Sequence, residues 1–225
     1  MSVSEDRTVQ PSPTTAAPAS GIADPAPLGL AAFALTTFLL SAKNADWMSH
    51  ATGSAWLGFA FAYGGLGQLL AGMWEFRNRN VFGATAFATY GGFWIGLGLW
   101  VQLVVNPAVA AARPATLAAT VSGLNHDLGW ILLAFAIFNT YMLILSAQVS
   151  LAVFAVFLTL ELTEIILCIG NFNAGAALLP TTTIKIGGYV GLITALVAWY
   201  TSAAGVSNGI AAGKLRFPVG RPLLS

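Results

Sequence analysis

The sequence predicts an all-α membrane protein, a bundle of six transmembrane helices. Only 8% of its 225 residues are charged and the mean hydropathy is +0.77, whereas an ordinary globular domain carries about a quarter charged residues. Two apolar runs between Tyr63 and Trp94, joined by a short charged turn, also lack the polar stripe that a soluble helical hairpin would show. We therefore expect these helices to lie in lipid.

Six apolar runs have the length of a membrane-spanning helix, which takes about 20 residues. They cover residues 26–43, 54–75, 83–105, 127–147, 149–169 and 184–206. Residues 106–125 are apolar too, but Pro107, Arg113 and Pro114 interrupt them, so an external loop or a short interfacial helix is expected there. The spans form one transmembrane domain over 24–208. It is flanked by a disordered tail over 1–23, rich in Ser, Thr, Pro and Ala, and by a tail over 209–225.

The first span opens with Asp24, Pro25 and Pro27, followed by Gly29. Asp is a good N-cap, and Pro is tolerated in the first turn because those N–H groups lack helical partners. The positive end of a helix also attracts anions. We interpret the motif as a cap, with a resting place for a small carboxylate as the alternative.

Small residues four positions apart mark the second, third and sixth spans. In lipid, close backbone approach supplies much of the packing between helices. The residues are Ala60 and Gly64, then Ala88, Gly92 and Gly96, then Gly187 and Gly191. They indicate contacts within the bundle, with a subunit interface as the alternative.

Two spans carry polar residues that need a cavity or a partner. Gln68 and Glu75 lie seven residues apart, on one face of the second span. Glu75 is expected either to form an ion pair with Arg77 or Arg79 that ends the helix, or to line the mouth of a pathway.

In the fifth span, Glu161 and Glu164 are three residues apart and share a helical face. Two ionised carboxylates facing lipid would cost about 6 kcal/mol on insertion scales. The pair is therefore expected to be protonated, to line water, or to pair with Lys185 or an arginine. A structural pair and a proton-coupling site both remain open.

The basic residues predict that both termini lie in the cytoplasm, since positive charge favours that side. With six spans, one side of the membrane collects Arg7, Arg77, Arg79, Lys214, Arg216 and Arg221, and the other Lys43, Arg113 and Lys185.

Other functions find no support in the sequence. A net charge of +1 argues against nucleic acid as a partner, and the single cysteine, Cys168, allows no disulfide within the chain. His50 and His126 are isolated from any second metal ligand, so neither a metal nor a cofactor is expected. No acid and nucleophile converge, and an enzyme is not predicted.

Three segments together resemble one family, the acetate uptake transporters, also called the Gpr1/Fun34/YaaH or succinate–acetate permease family. They are the opening motif at 24–30, the stretch Y-G-G-L-G-Q-L-L-A-G-M-W-E-F at 63–76 with its continuation to 94, and I-G-G-Y-V-G-L-I-T-A-L-V-A-W-Y at 186–200. The resemblance covers roughly residues 24–208.

This resemblance implies a hexamer with a separate path for acetate, similar monocarboxylates or succinate through each protomer. By motif position it places a constriction at Phe33, Tyr90 and Leu160. A hydrophobic constriction can gate a pore by dewetting. The uncharged polar groups expected along the path are Thr36, Thr37, Gln68 and Asn171.

The sequence thus favours a membrane permease for short carboxylates that carries a proton with its solute, with Glu161, Glu164 and Glu75 as candidate coupling groups. A passive channel for acetic acid, urea or ammonia is one alternative. A membrane sensor that transports nothing is another.

Overall fold

The structure is a computed structural model that describes residues 21–49 and 54–224. Most of the tail expected over 1–23 lies outside the described residues. The described chain is helical, with no strand, and its helices are numbered α1 to α6 here. They are α1 (Ala26–Asn44), α2 (55–77), α3 (Val81–Ala111), α4 (Pro114–Ser146), α5 (Leu151–Phe172) and α6 (Thr182–Gly209).

Five of these helices, all except α2, are both long enough and apolar enough to cross a membrane. α2 is less apolar, but its 55–77 segment is a continuous helix and spans about 34 Å at 1.5 Å per residue. Its middle, Ala62–Gly67, is a π-helix. There a Cβ added to Gly64 would lie 2.4 Å from Thr36 Oγ1 of α1, so only glycine permits this approach of α1 and α2.

The prediction for residues 106–125 was wrong. α3 continues through a second π-helical segment, Val101–Val105, to Ala111, and α4 already begins at Pro114. Only Ala112 and Arg113 separate the two helices. Pro114 lies in the first turn of α4, where the missing N–H breaks no helical hydrogen bond. Pro107 lies inside α3, directly after the π-helical segment, and the helix continues past it to Ala111.

Glycines permit α6 to approach the end of α1 closely, and α2 to approach α3. A Cβ at Gly188 of α6 would lie 2.4 Å from the backbone nitrogen of Ala45, and one at Gly72 of α2 would lie 2.6 Å from that of Ala88 in α3. By contrast, nothing lies within 4 Å of the positions that a Cβ would take at Gly92 and Gly96. The small residues of α3 therefore face two ways, Ala88 into the bundle and these two glycines out of it.

α1 begins and α6 ends at the same end of the bundle, called here the termini end, because Ser202 Oγ donates to the Pro27 carbonyl at 2.6 Å. Beyond Gly209 the chain is extended and returns to the turn between α4 and α5. There Ala152 N donates to Val219 O at 2.8 Å, and Leu223 N donates to Ala147 O at 2.7 Å. Residues 210–224 thus lie against the bundle.

Candidate solute pathway

Three residues that the sequence places far apart meet at the centre of the bundle. Phe33 of α1, Tyr90 of α3 and Leu160 of α5 are buried, at 4%, 3% and 6% exposure. The rings of Phe33 and Tyr90 contact each other edge to face, with centroids 5.9 Å apart. The structure therefore brings the three expected constriction residues together.

These three residues separate two cavities. The first cavity, about 90 Å³, opens toward the termini end, between Ala26 and the turns at Asn80 and Val149. The second, about 50 Å³, lies beyond it toward the opposite end. Among the described residues, Phe33, Tyr90 and Leu160 alone line both cavities. A solute that moves from one cavity to the other must pass this apolar ring.

The first cavity is almost entirely apolar. Its polar lining comes mainly from the amides of Gln68 and Asn80. Gln68 is 1% exposed, and its Oε1 has no hydrogen-bond partner within the described chain. An unpaired buried amide at a cavity wall can bind a polar solute.

The walls of the second cavity are also almost entirely apolar, but more of its lining residues are polar, among them Thr37, Ser41 and Asn44 of α1 and Thr163 and Glu164 of α5. It adjoins a third cavity of about 190 Å³, which shares Asn44 with it and reaches Lys43, Asn125 and Asn171. Asn171 lines this third cavity, although its side-chain N–H donates to Leu167 O in its own helix at 2.8 Å. The three cavities form a series along the bundle.

A buried polar network lies beside the ring. Asn139 of α4, fully buried, accepts the phenol hydrogen of Tyr90 at 2.9 Å through Oδ1. Its Nδ2 donates to Phe157 O at 3.0 Å and to Glu161 Oε2 at 2.7 Å. Thr140 donates to the other Glu161 oxygen at 2.7 Å. Sequence reasoning missed Asn139, although an amide inside an apolar span carries the same signal as the glutamates on α5.

The two α5 glutamates differ in their surroundings. Both oxygens of Glu161 accept hydrogen bonds from α4. Glu164 is 4% exposed; its Oε1 lies 3.3 Å from the Tyr90 phenol oxygen, and its Oε2 has no partner among the residues described. The expected alternative partner, Lys185, instead pairs with Asp46 at 2.5 Å. That expectation for the glutamates was wrong, because Lys185 lies in the first turn of α6, near the end of α1.

Glu75 does not form the expected ion pair. It is fully buried and accepts from Asn78 Nδ2 at 3.2 Å, while Arg77 and Arg79 are exposed. Its Oε1 has no hydrogen-bond partner in the described part of the chain. Asparagine, not arginine, therefore stabilises this carboxyl group at the end of α2.

The remaining expected residues serve helix packing. Thr36 donates to Ala32 O at 3.1 Å and lies against Gly64, so it lines none of the three cavities. At the opening motif, Asp24 Oδ1 accepts from Ala26 N at 3.0 Å, as a cap would. A Cβ at Gly29 would lie 2.7 Å from the Phe87 ring of α3.

Within the described residues, no three His, Cys, Asp or Glu side chains lie together where they could hold a metal ion. The site consists of an apolar ring, two flanking cavities and a carboxyl–amide–phenol network at the ring's edge. Such an arrangement can let a small, largely dehydrated solute pass while it excludes larger and strongly hydrated ones.

Comparison with known proteins places this site in a family. A model of the GPR1/FUN34/yaaH family matches residues 6–212. Acetate permease A of Emericella nidulans is 40% identical over 189 residues, which cover 83% of this chain and 62% of that protein. Ammonia transport outward protein 2 of Saccharomyces cerevisiae is 36% identical over 192 residues, 85% of this chain and 64% of that protein.

Bacterial relatives match over more of their length. The succinate-acetate/proton symporter SatP of Escherichia coli is 32% identical over 187 residues, 83% of this chain and 90% of that protein. A solved structure of a bacterial acetate channel, SatP, superposes with a TM-score of 0.72 at 30% identity and covers 88% of this chain and 99% of that one. The chain spans a little under two thirds of the length of the two fungal relatives. It belongs to the GPR1/FUN34/yaaH family, as its sequence motifs predicted.

Proposed function

We propose that the protein carries acetate and similar short-chain carboxylates across a membrane, with succinate as a further candidate. The observation that carries this proposal is the ring of Phe33, Tyr90 and Leu160, which alone separates two cavities on one line through the bundle. Three relatives described as an acetate permease, a succinate-acetate/proton symporter and an acetate channel support the choice of solute.

The size and chemistry of the cavities fit a small carboxylate. The second cavity, about 50 Å³, has room for only a few heavy atoms. Its walls are apolar and suit the short apolar end of a solute, and its lining residues include Thr37 and Ser41, whose hydroxyls would bind the polar end. Gln68 lies on one side of the ring, and Asn171 lies farther along on the other side. These are the polar wall groups that would bind the solute before and after it passes the ring.

We propose that a proton accompanies the solute. Glu161 and Glu164 lie beside the ring, while Glu75 lies near the first cavity, where a Cβ at the lining residue Gly83 would come within 2.7 Å of its Oε1. A carboxylate anion cannot cross an apolar ring cheaply, because the ring offers nothing to replace its hydration shell. A passive channel for the neutral acid is the second candidate, favoured by the series of cavities.

The proposed assembly is a hexamer in the cell membrane with both termini in the cytoplasm. Two exposed glycines on α3, Gly92 and Gly96, leave a groove where another helix could approach. The large exposed apolar side chains of the described helices face either lipid or neighbouring protomers.

The test is uptake of labelled acetate into proteoliposomes with and without an inward proton gradient, against protein-free liposomes. Accumulation above equilibrium establishes coupled transport. Equilibration that ignores the gradient identifies a channel. If no acetate moves above the protein-free rate, and Phe33→Ala and Tyr90→Ala change nothing, the chain is not an acetate transporter and the sensor alternative stands.

A further inference from the structure

Buried polar atoms without a hydrogen-bond partner in the described chain occur on two residues that line the second cavity from different helices. They are Thr37 Oγ1 of α1 and Glu164 Oε2 of α5, on side chains 5% and 4% exposed. Buried polar atoms are nearly always hydrogen-bonded in native proteins. Two such atoms on residues that line one small cavity therefore point to a polar ligand in that cavity.

The hydrogen bonds around Tyr90 fix the protonation of Glu164. Asn139 uses both amide hydrogens, on Phe157 O and Glu161 Oε2, so its Oδ1 is the acceptor for the phenol at 2.9 Å. The Tyr90 phenol has one hydrogen to donate, and it donates that hydrogen to Asn139 Oδ1 in this shorter contact. The 3.3 Å contact between Tyr90 and Glu164 Oε1 is then a hydrogen bond only if Glu164 carries a proton and donates it.

No basic group opposes this assignment. No Lys or Arg of the described chain lines the second cavity. The titratable groups that face Glu164 are Tyr90 from α3 and Glu161 from its own helix, and neither is a cation. The groups from the other helices, Thr37 on α1, Asn139 on α4 and Thr194 on α6, which bonds Thr163, are neutral.

We propose that Thr37 and Glu164 form a subsite that binds a monocarboxylic acid in its neutral, protonated form. This inference rests on the proposed function and specifies the form of the solute that passes the ring. Glu164, protonated on Oε1, presents Oε2 as an acceptor for the solute's O–H, and the Thr37 hydroxyl donates to the solute's carbonyl oxygen. An anion would bring oxygen lone pairs against Oε2 and has no hydrogen to donate.

In this arrangement the proton crosses on the solute, and Glu164 selects the neutral acid without releasing its own proton. Glutamine is the isostere of protonated glutamate: its amide donates to the Tyr90 oxygen and its carbonyl faces the cavity. Leucine has a similar volume and neither group. Comparison of Glu164→Gln with Glu164→Leu therefore distinguishes two roles of Glu164. If Glu164 only accepts a hydrogen bond from the solute, glutamine can replace it and leucine cannot. If Glu164 must bind and release a proton, neither can replace it.

The experiment measures exchange of labelled acetate in proteoliposomes at equal pH inside and outside, from pH 5 to 8, with the protein-free rate subtracted. Wild-type exchange should follow the neutral acid and fall about tenfold per pH unit above the ionisation of acetic acid. Glu164→Gln should keep this slope and exchange acetate faster than Glu164→Leu. Glu164→Leu and Thr37→Val should lose about tenfold in rate, as expected when a polar partner of the solute is removed. Thr159→Val is the control, because its hydroxyl bonds only carbonyls of α5.

Exchange that stays constant from pH 6 to 8 in active wild type would show passage of the anion and overturn the proposal. So would a Glu164→Leu rate equal to wild type, or a Glu164→Gln variant as impaired as Glu164→Leu. If the wild type exchanges no acetate, that result contradicts the proposed transport function, on which the subsite rests. Infrared spectroscopy gives a check independent of transport: the C=O band of a protonated carboxyl should be present at pH 7 and lost in Glu164→Gln, and its absence from wild type overturns the protonated Glu164.

Discussion

The Tyr90 phenol donates to Asn139 Oδ1 at 2.9 Å and thereby joins α3 to α4 at the level of the ring. Aromatic contacts join the same two helices there, with the ring centroids of Phe93 and Phe135 4.6 Å apart, and both Tyr90 and Asn139 are almost completely buried. The bond fixes the position of an aromatic side chain that forms one third of the ring between the two cavities. Tyr90 therefore links the apolar barrier to the carboxyl groups of α5.

Tyr90→Phe should lower stability while it keeps the ring. The change leaves Asn139 Oδ1 without its donor, and an unpaired buried acceptor costs about 1–3 kcal/mol. For a chain of this size that corresponds to a fall of roughly 2–10 °C in the unfolding midpoint, measured by the heating of purified protein in detergent. Tyr141→Phe is the control, since Tyr141 is 47% exposed. Equal midpoints for both variants would contradict a structural role of the bond.

Phe33→Ala should widen the constriction and relax selection by size. Because Phe33 lines both cavities, its removal joins them. An apolar site distinguishes two solutes that differ by one methylene by a factor of about ten or more in rate. Loss of this selection should therefore raise the ratio of butyrate flux to acetate flux at least roughly tenfold.

Phe38→Ala, five residues along α1, is the matched control for Phe33→Ala. Phe38 packs on Trp199 with ring centroids 5.4 Å apart and lines none of the three cavities. The flux ratio is measured in proteoliposomes for both variants. A ratio that does not move in Phe33→Ala, or that moves equally in Phe38→Ala, would place the barrier elsewhere.

The positions of the buried polar residues could be predicted from the sequence, but their partners could not. The cost of a charge in lipid indicates that Glu164 needs a cavity or a partner, and the structure provides a cavity. Which group pairs with it depends on how α3, α4 and α5 rotate about their axes, and a single sequence does not specify that rotation. For this reason Lys185 was considered as one alternative partner for the wrong carboxylates, and Asn139 was overlooked.

The helix boundaries were likewise only partly predictable from the sequence. Hydropathy predicted six helical segments within a few residues at most ends, because the length of a span is set by the bilayer. It failed at 106–125, where Pro107 and Pro114 were interpreted as breaks, although Pro107 lies inside α3 and Pro114 lies in the first turn of α4. The small-residue motifs predicted close approach, yet they could not tell Gly64, inside the bundle, from Gly92, outside it.

Truncation after Gly213 should loosen the turn between α4 and α5. Val219 O accepts from Ala152 N, and Ala147 O accepts from Leu223 N and Leu224 N, so the C-terminal segment satisfies backbone groups at the facing ends of two helices. Hydrogen exchange at Ala152 should then accelerate about tenfold or more, because its amide loses its acceptor. Amides in the middle of α5 serve as the internal control. An unchanged rate at Ala152 would show that the segment does not protect the turn.

Gly72→Leu and Gly92→Leu should separate the fold of the protomer from its assembly. A side chain at Gly72 would meet the backbone of Ala88 at 2.6 Å, so leucine there should push α2 from α3 and abolish the folded protomer. At Gly92 the chain itself leaves open space, and leucine should leave the protomer's unfolding midpoint within a few degrees of wild type. If Gly92 and Gly96 meet a neighbouring protomer, the same leucine should shift the hexamer toward monomer in native mass spectrometry, because a close helix contact in lipid depends on small residues. A hexamer that persists in Gly92→Leu would place the subunit interface on another face, and a wild type that is monomeric would remove the hexamer from the proposal.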